Sequence, residues 1–338
     1  LHKASRANKE ANVKAVVIHA PGAPEQLVVA DVPEPEPGHG EVLVDVEFAG
    51  CNWADTQVRT GIYPHPRTYP LVLGLEIAGT VSELGPGVTG VQIGERVAAF
   101  VEQGGAYAEK VVVAVNMLMR LPDSIPLDVG AALTVQPLTG YHMLHTVYDI
   151  EPGETVLINA VGGGVGLFTT QLAVKAGVRV IGTVGTPGKE KIALEHGAER
   201  VVVTRSEDFE QAVLDFTGGR GVDLAIDSLG ATMLDRTFNV VRKLGHIISI
   251  GEAEGPPFKN IRERILPRSQ TFTRFSIGHV DAQSQAWKDS LDYIPRGVLD
   301  GWLRVPMAGT FPMGEAAAMH RYLESRQAAG KLVLAIAP

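Results

Sequence analysis

The sequence is short of cysteine, of net positive charge and of long apolar runs, and each shortage excludes something. One cysteine, Cys51, occurs among 338 residues. No disulfide can form within the chain, and a cytoplasmic location is the expectation. Acidic residues outnumber basic ones by 38 to 30, a formal net charge of -8. That balance argues against a nucleic-acid partner, which needs a basic footprint. It leaves room for a local basic patch around a small phosphorylated ligand. The longest apolar stretch, Val156 to Val174, is interrupted by Asn159, a glycine cluster, Thr169, Thr170 and Gln171. It is too polar for a membrane span, so no membrane partner is expected. Leu1 to Asn12 lack the apolar core of a secretory signal and are expected to form a loose tail, residues 1–12, with order beginning near Val13.

What is present is ordinary for a globular enzyme: 45% hydrophobic and 20% charged residues, over a length that suits two domains. The first third carries short β-branched runs, Lys14 to His19, Glu41 to Ala49, Ile77 to Leu84 and Glu109 to Val115. Gly and Pro clusters separate them, which predicts a β-rich, barrel-like or sandwich-like unit. Near Leu138 the pattern changes to alternating strands and helices. Strands are predicted at Thr155 to Asn159, Arg179 to Val184, Arg200 to Thr204, Asp223 to Asp227, His246 to Ile250 and Thr271 to Ile277. Helices are predicted at Gly164 to Ala176, Lys189 to His196, Phe209 to Thr217 and Met233 to Leu244. This is an α/β fold with a Rossmann-type, doubly wound parallel six-stranded sheet. Residues 134–279 form that domain. Residues 13–133 with 280–338 form the β-rich one, the latter segment holding two helices and a last strand, Leu332 to Ile336.

Ala160 to Gly166, in sequence Ala-Val-Gly-Gly-Gly-Val-Gly, joins the first strand of the second domain to a helix. That context is the one a dinucleotide-binding turn requires. Gly163, Gly164, Val165 and Gly166 would bring backbone N–H groups and the helix dipole to a pyrophosphate, and Gly166 would let helix and strand pack closely. The bland alternative is a tight turn in any parallel sheet. An NAD site places an acid at the end of the second strand. Gly182 to Thr186, with Thr183 in its midst, offers none. Lys189 follows, and Arg205 ends the third strand, so the pocket suits the 2′-phosphate of NADPH. Lys189 could instead be a solvated first-turn lysine.

Several motifs in order then carry a resemblance to a known family. They are Asn52-Trp53-Ala54-Asp55, Arg59 to Pro64, Gly74-Leu75-Glu76-Ile77-Ala78-Gly79, Gly94 to Val97, Pro137 to Tyr141, the glycine turn, and Glu324-Ser325-Arg326 with Gly330-Lys331. From Lys14 onward the chain resembles the zinc-free medium-chain dehydrogenase/reductases, specifically the NADPH:quinone oxidoreductase family. The resemblance implies a GroES-like substrate domain beside the Rossmann domain, the two enclosing a cleft, and a homodimer formed along the sixth strand. Zinc-dependent relatives place a cysteine where Asn52 stands and a histidine where Leu75 stands, and add four clustered cysteines. This chain has neither ligand, so no metal is expected. His142 and His145, spaced for one helix face, lack companion ligands, and Cys51 is most simply a small packed residue. Thr204 stands where relatives often have an adenine-stacking tyrosine.

The implied function is hydride transfer from NADPH to a quinone or another conjugated carbonyl without a Lewis acid. A 2-enoyl thioester reductase and a non-catalytic NADPH-binding protein are the alternatives. Tyr63 matches the proton donor of related enoyl reductases, unless it is a loop residue stacked on Pro64 or Pro66. Asn52 would hold substrate or cofactor, unless it merely bonds its own turn. Thr139 would contact the nicotinamide or cap the helix it precedes. The expected nucleotide set further includes Ser228, Ile250 and Gly251, together with Arg274 and Lys331, each of the last two having a surface charge as its alternative.

Overall fold

The computed structural model describes residues 12–63, 67–255 and 260–337. Residues 1–11 of the expected tail, and the prolines offered as partners for Tyr63, Pro64 and Pro66, lie outside them, whereas Asn12, the last residue of that tail, opens the first strand. The chain divides into two compact units, one running to Thr134 with Gly309–Gln327 and the residues from Leu332, the other comprising Val135–Ala308 and Ala328–Lys331.

In the first unit the long strand Glu41–Cys51 is the spine. It pairs antiparallel with Glu76–Leu84, with Lys110–Ala114 and with Lys331–Ala335. Alternate residues of Lys110–Ala114 are buried, as expected for a sheet with one covered face. A smaller sheet sets Asn12–Ile18 between Val28–Pro33 and Leu71–Val72. The helix Trp53–Thr60 follows the spine directly and ends at Gly61, whose φ of 77° gives the left-handed turn that glycine accepts most readily.

The second unit carries the parallel sheet. In spatial order its strands are Arg200–Val203, Arg179–Val184, Thr155–Ile158, Val222–Asp227, Val241–Ser249 and Thr271–Arg274. The chain starts at the third of these, winds outward to one edge, returns, and winds to the other. Ligands bind at the carboxyl ends of such strands, where the winding reverses. Leu157, Ile181, Ala225 and Ile247 stand in register across four adjacent strands and are wholly buried. Phe209, Val213, Leu234 and Phe238 belong to the same core. Among the described residues Thr271–Arg274 pairs only with Val241–Ser249, so it is the sheet edge.

Three expectations change. The helix predicted over Met233 to Leu244 stops at Thr237, and a strand begins at Val241. Val241 pairs with Val222 across a register shift, and Leu244 bulges out at φ 59°, 72% exposed. Irregular pairing extends the strand where apolar spacing suggested helix. The edge strand ends at Arg274, and Ile277 opens a 3-10 turn. Segment 280–308 groups with the nucleotide-type unit rather than the β-rich one. The cause is the helix Gln285–Leu299, whose Trp287 stacks on His142 at 5.6 Å and whose Ser290 bonds the His142 ring at 3.2 Å. The strand Met307–Pro312 lies where no strand is expected from the pattern.

Candidate active site

The glycine turn lies at the carboxyl end of Thr155–Ile158 and opens the helix Gly164–Lys175. A methyl on Gly166 would stand 2.7 Å from the Val161 backbone, so only glycine lets the helix settle against the turn. One on Gly164 would meet the Gln136 carboxamide at 2.1 Å. Gln136 therefore covers the first residue of this helix, a neighbour that sequence spacing did not indicate. Thr139 lies within the same helix as Gln136, Gln136–His142. Its hydroxyl donates to the Val135 carbonyl at 2.6 Å, so it does not cap a helix that it precedes.

Asn159, immediately before the turn, ties three strands together. Its amide donates to Asp227 at 2.9 Å and to Thr237 at 2.8 Å, and its carbonyl accepts from the Thr183 hydroxyl at 3.0 Å. Asp227 also accepts from the Gly230 N–H at 2.7 Å, which anchors the loop containing Ser228. Burial pushes the Asp227 carboxyl up to about 6, against the pull of those hydrogen bonds. Thr183 is 1% exposed and points into this network. Its side chain is thus corrected from a ligand contact to an internal support. A buried asparagine directly before a glycine turn was the available signal for this cluster.

Arg205, Ile250, Gly251 and Arg274 also sit at carboxyl ends of the parallel strands. Arg205 follows Arg200–Val203, and is exposed with no hydrogen bond or ion pair among the described residues. Ile250 and Gly251 follow Val241–Ser249, and Gly251 packs on the Ser228 backbone, where a methyl would fall 2.7 Å from a carbonyl oxygen. Arg274 ends the edge strand, donating to the Ser249 carbonyl at 3.1 Å with Glu252 3.9 Å away. Lys189 precedes the helix Glu190–Glu195 and lies against the turn, its Cβ 3.2 Å from where a Gly162 methyl would be. It is not merely solvated: its ammonium donates to the Ala328 carbonyl at 2.8 Å. Lys331 is wholly buried, which removes the surface-charge alternative.

Asn52 and Tyr63 belong to the first unit. Asn52 is 4% exposed and directly precedes the helix Trp53–Thr60. Its N–H donates to Asp55 at 2.8 Å, and its side-chain amide donates to Glu76 at 2.8 Å. The second Glu76 oxygen accepts from the Thr134 N–H and hydroxyl. The amide is therefore held by a buried carboxylate, while the same side chain also shares a capping box with Asp55 at the start of its own helix. Leu75, beside Glu76, is buried. Tyr63 follows the helix, its N–H donating to the Gln57 carbonyl at 3.2 Å, with the Arg67 guanidinium 5.9 Å from its ring centre. Neither Glu76 nor Arg67 was singled out from sequence. Glu76 stood within a motif, whereas nothing in the local pattern marked Arg67.

His142 and His145 do not form a metal pair. Both His142 ring nitrogens are engaged, with Thr146 and Ser290, and burial lowers its pKa to about 4. His145 packs on Tyr141, and burial lowers its pKa too. Among the described residues no three His, Cys, Asp or Glu side chains gather as a ligand set. No helix among them is long and apolar enough to cross a membrane.

Comparison with known proteins gives the class. Residues 38–123 match the alcohol dehydrogenase GroES-like domain, and residues 164–295 match the zinc-binding dehydrogenase domain. A 2-haloacrylate reductase of a Burkholderia species is 34% identical, with 95% of this chain and 98% of the relative covered. A quinone oxidoreductase of Pseudomonas aeruginosa is also 34% identical, covering 95% and 99%. The crystal structure of Escherichia coli quinone oxidoreductase complexed with NADPH superposes with a TM-score of 0.90 at 31% identity, covering 95% and 99%. The chain belongs to the quinone oxidoreductase family of medium-chain dehydrogenase/reductases, and is an oxidoreductase of that type.

Proposed function

We propose that this protein uses NADPH to reduce a quinone or another conjugated carbonyl without zinc. The observation that carries the reading is the carboxyl edge of the parallel sheet. A glycine turn opens a helix there, the second strand ends without an acid, and Arg205 offers an unpaired cation among the described residues. Those residues fit a dinucleotide bearing a 2′-phosphate. Helix N–H groups would hold the pyrophosphate, and Arg205 and Lys189 the phosphate on the ribose. Backbone groups at Ser228, Ile250 and Gly251 lie on the same edge, with Thr139, Arg274 and Lys331 as further contacts. When bound, NADPH supplies the hydride.

Zinc independence rests on residue chemistry. An amide at Asn52 and an alkyl chain at Leu75 replace the soft and imidazole ligands that zinc requires. Without a Lewis acid the substrate must accept hydride readily, which favours quinones and enones. Asn52, fixed by Glu76, would orient the acceptor, and Tyr63 would deliver a proton to the reduced product. Tyr63 also supports a second reading, reduction of 2-enoyl thioesters. The proposed assembly is a homodimer through the exposed edge Thr271–Arg274, and the proposed location is the cytoplasm. NADPH oxidation measured against quinones, enones and enoyl thioesters tests the function. Turnover of the first two with NADPH supports it. Preference for thioesters selects the second reading, and absence of turnover with all three rejects both.

A further inference from the structure

Arg67 occupies a place that the proposed reaction leaves unexplained. Two backbone carbonyls hold it, those of Gln103 at 3.0 Å and Glu102 at 3.2 Å. They use two of its five N–H groups. It forms no ion pair among the described residues, and its guanidinium carbon lies 5.9 Å from the Tyr63 ring centre. Both ends of this arrangement are anchored. The Tyr63 N–H bonds the Gln57 carbonyl, and the Tyr69 hydroxyl donates to the Val58 carbonyl at 2.7 Å. An arginine held by neutral acceptors, with no carboxylate among the described residues to offset it, is a cation in search of an anion.

We infer that Arg67 is a specificity-determining residue that makes anionic conjugated acids, 2-enoates with a free carboxylate, preferred substrates over neutral isosteres. The inference rests on the proposed role of Tyr63. The balance of the step is simple. The β-carbon of the enoate gains hydride, the π pair moves to the α-carbon, and a proton closes that carbon. The nicotinamide is oxidised and the enoate becomes the saturated acid. Arg67 would pair with the carboxylate and with the negative charge that grows on its oxygens as the π pair moves. The relative that is named for 2-haloacrylate, itself an enoate, agrees with this choice of substrate class.

The test compares 2-chloroacrylate with 2-chloroacrylamide, near-isosteres of which the amide is neutral and intrinsically the better hydride acceptor. The readout is the ratio of their kcat/KM values with NADPH, which does not depend on the fraction of active protein. A charge-assisted contact predicts a ratio of roughly 10 or more in the parent. Arg67→Gln should lower it roughly tenfold or more, and Arg67→Lys should leave an intermediate value. High salt should lower the parent ratio only modestly, because a half-buried ion pair is screened much less than an exposed one. A parent that favours the amide, or a ratio that Arg67→Gln leaves unchanged, overturns the inference. If a quinone is still reduced with NADPH in that case, the functional reading stands alone. If nothing is reduced, both fall.

Discussion

Replacing Arg205 by alanine should weaken NADPH and spare NADH. Arg205 has no hydrogen bond or ion pair to lose among the described residues. Its removal therefore costs the fold little, and any change in nucleotide use reports on the phosphate. A hydrogen bond to a charged group is worth about 1.5–3 kcal/mol. An exposed guanidinium belongs at or below the bottom of that range because water competes for it. At about 1.4 kcal/mol per tenfold, we predict roughly a tenfold fall in kcat/KM for NADPH, with NADH changed less than about twofold. Lys189→Ala should behave differently. Its ammonium also holds the Ala328 carbonyl, in the segment leading to Lys331, so both nucleotides should suffer, NADPH more. To move preference toward NADH, the acid belongs at Gly185. A methyl there meets nothing within 4 Å, whereas Thr183→Asp would bury a carboxylate beside Asn159 and Asp227. Steady-state kinetics with both nucleotides decide the matter. An Arg205→Ala protein that loses both equally, or neither, refutes the assignment of this pocket.

Tyr63→Phe should slow reduction of an enone or enoyl substrate by roughly a hundredfold or more, the usual scale of general acid catalysis. A quinone, whose product takes protons from water, should be affected less, and equal small losses on both would make Tyr63 a packing residue. Asp223 should matter for acid stability. Burial opposes its ionisation, but hydrogen bonds from Arg220, Arg242 and the Thr155 N–H outweigh it and lower its pKa to about 2. A carboxyl depressed from 3.8 stabilises the fold fully above that pH, and the contribution is lost as pH falls toward 2. Asp223→Asn should therefore lower the urea midpoint at pH 7 and converge with the parent near pH 2, whereas a constant gap would contradict the linkage. Light scattering at micromolar concentration should give a dimer mass, and a strict monomer would remove the role proposed for the edge strand Thr271–Arg274.

Much of this architecture was legible in the chain. The three central parallel strands, Thr155–Ile158, Arg179–Val184 and Val222–Asp227, are almost wholly buried, so they appear as continuous apolar runs, and Arg179–Val184 was bounded to the residue. The glycine turn was legible because close approach leaves no alternative residue at Gly166. Side-chain direction was not. Thr183 stands in the segment expected to line the pocket, yet it faces the interior, because alternate residues of a strand face opposite ways. Contacts distant in sequence were hidden too. Lys189 meets Ala328, Asn52 meets Glu76, and the helix Gln285–Leu299 packs on His142, none of which leaves a local pattern. Arg67 was invisible for the same reason, since its significance lies in the carboxylate it does not meet.

The central claim is metal-free reduction with NADPH. Its most direct measurement is the initial rate of NADPH oxidation by a 1,4-quinone, on protein dialysed against a chelator and assayed for zinc. We predict turnover unchanged by the chelator, with far less than one zinc per chain. A protein that carries one zinc per chain, and loses its activity when the metal is removed, would contradict the account.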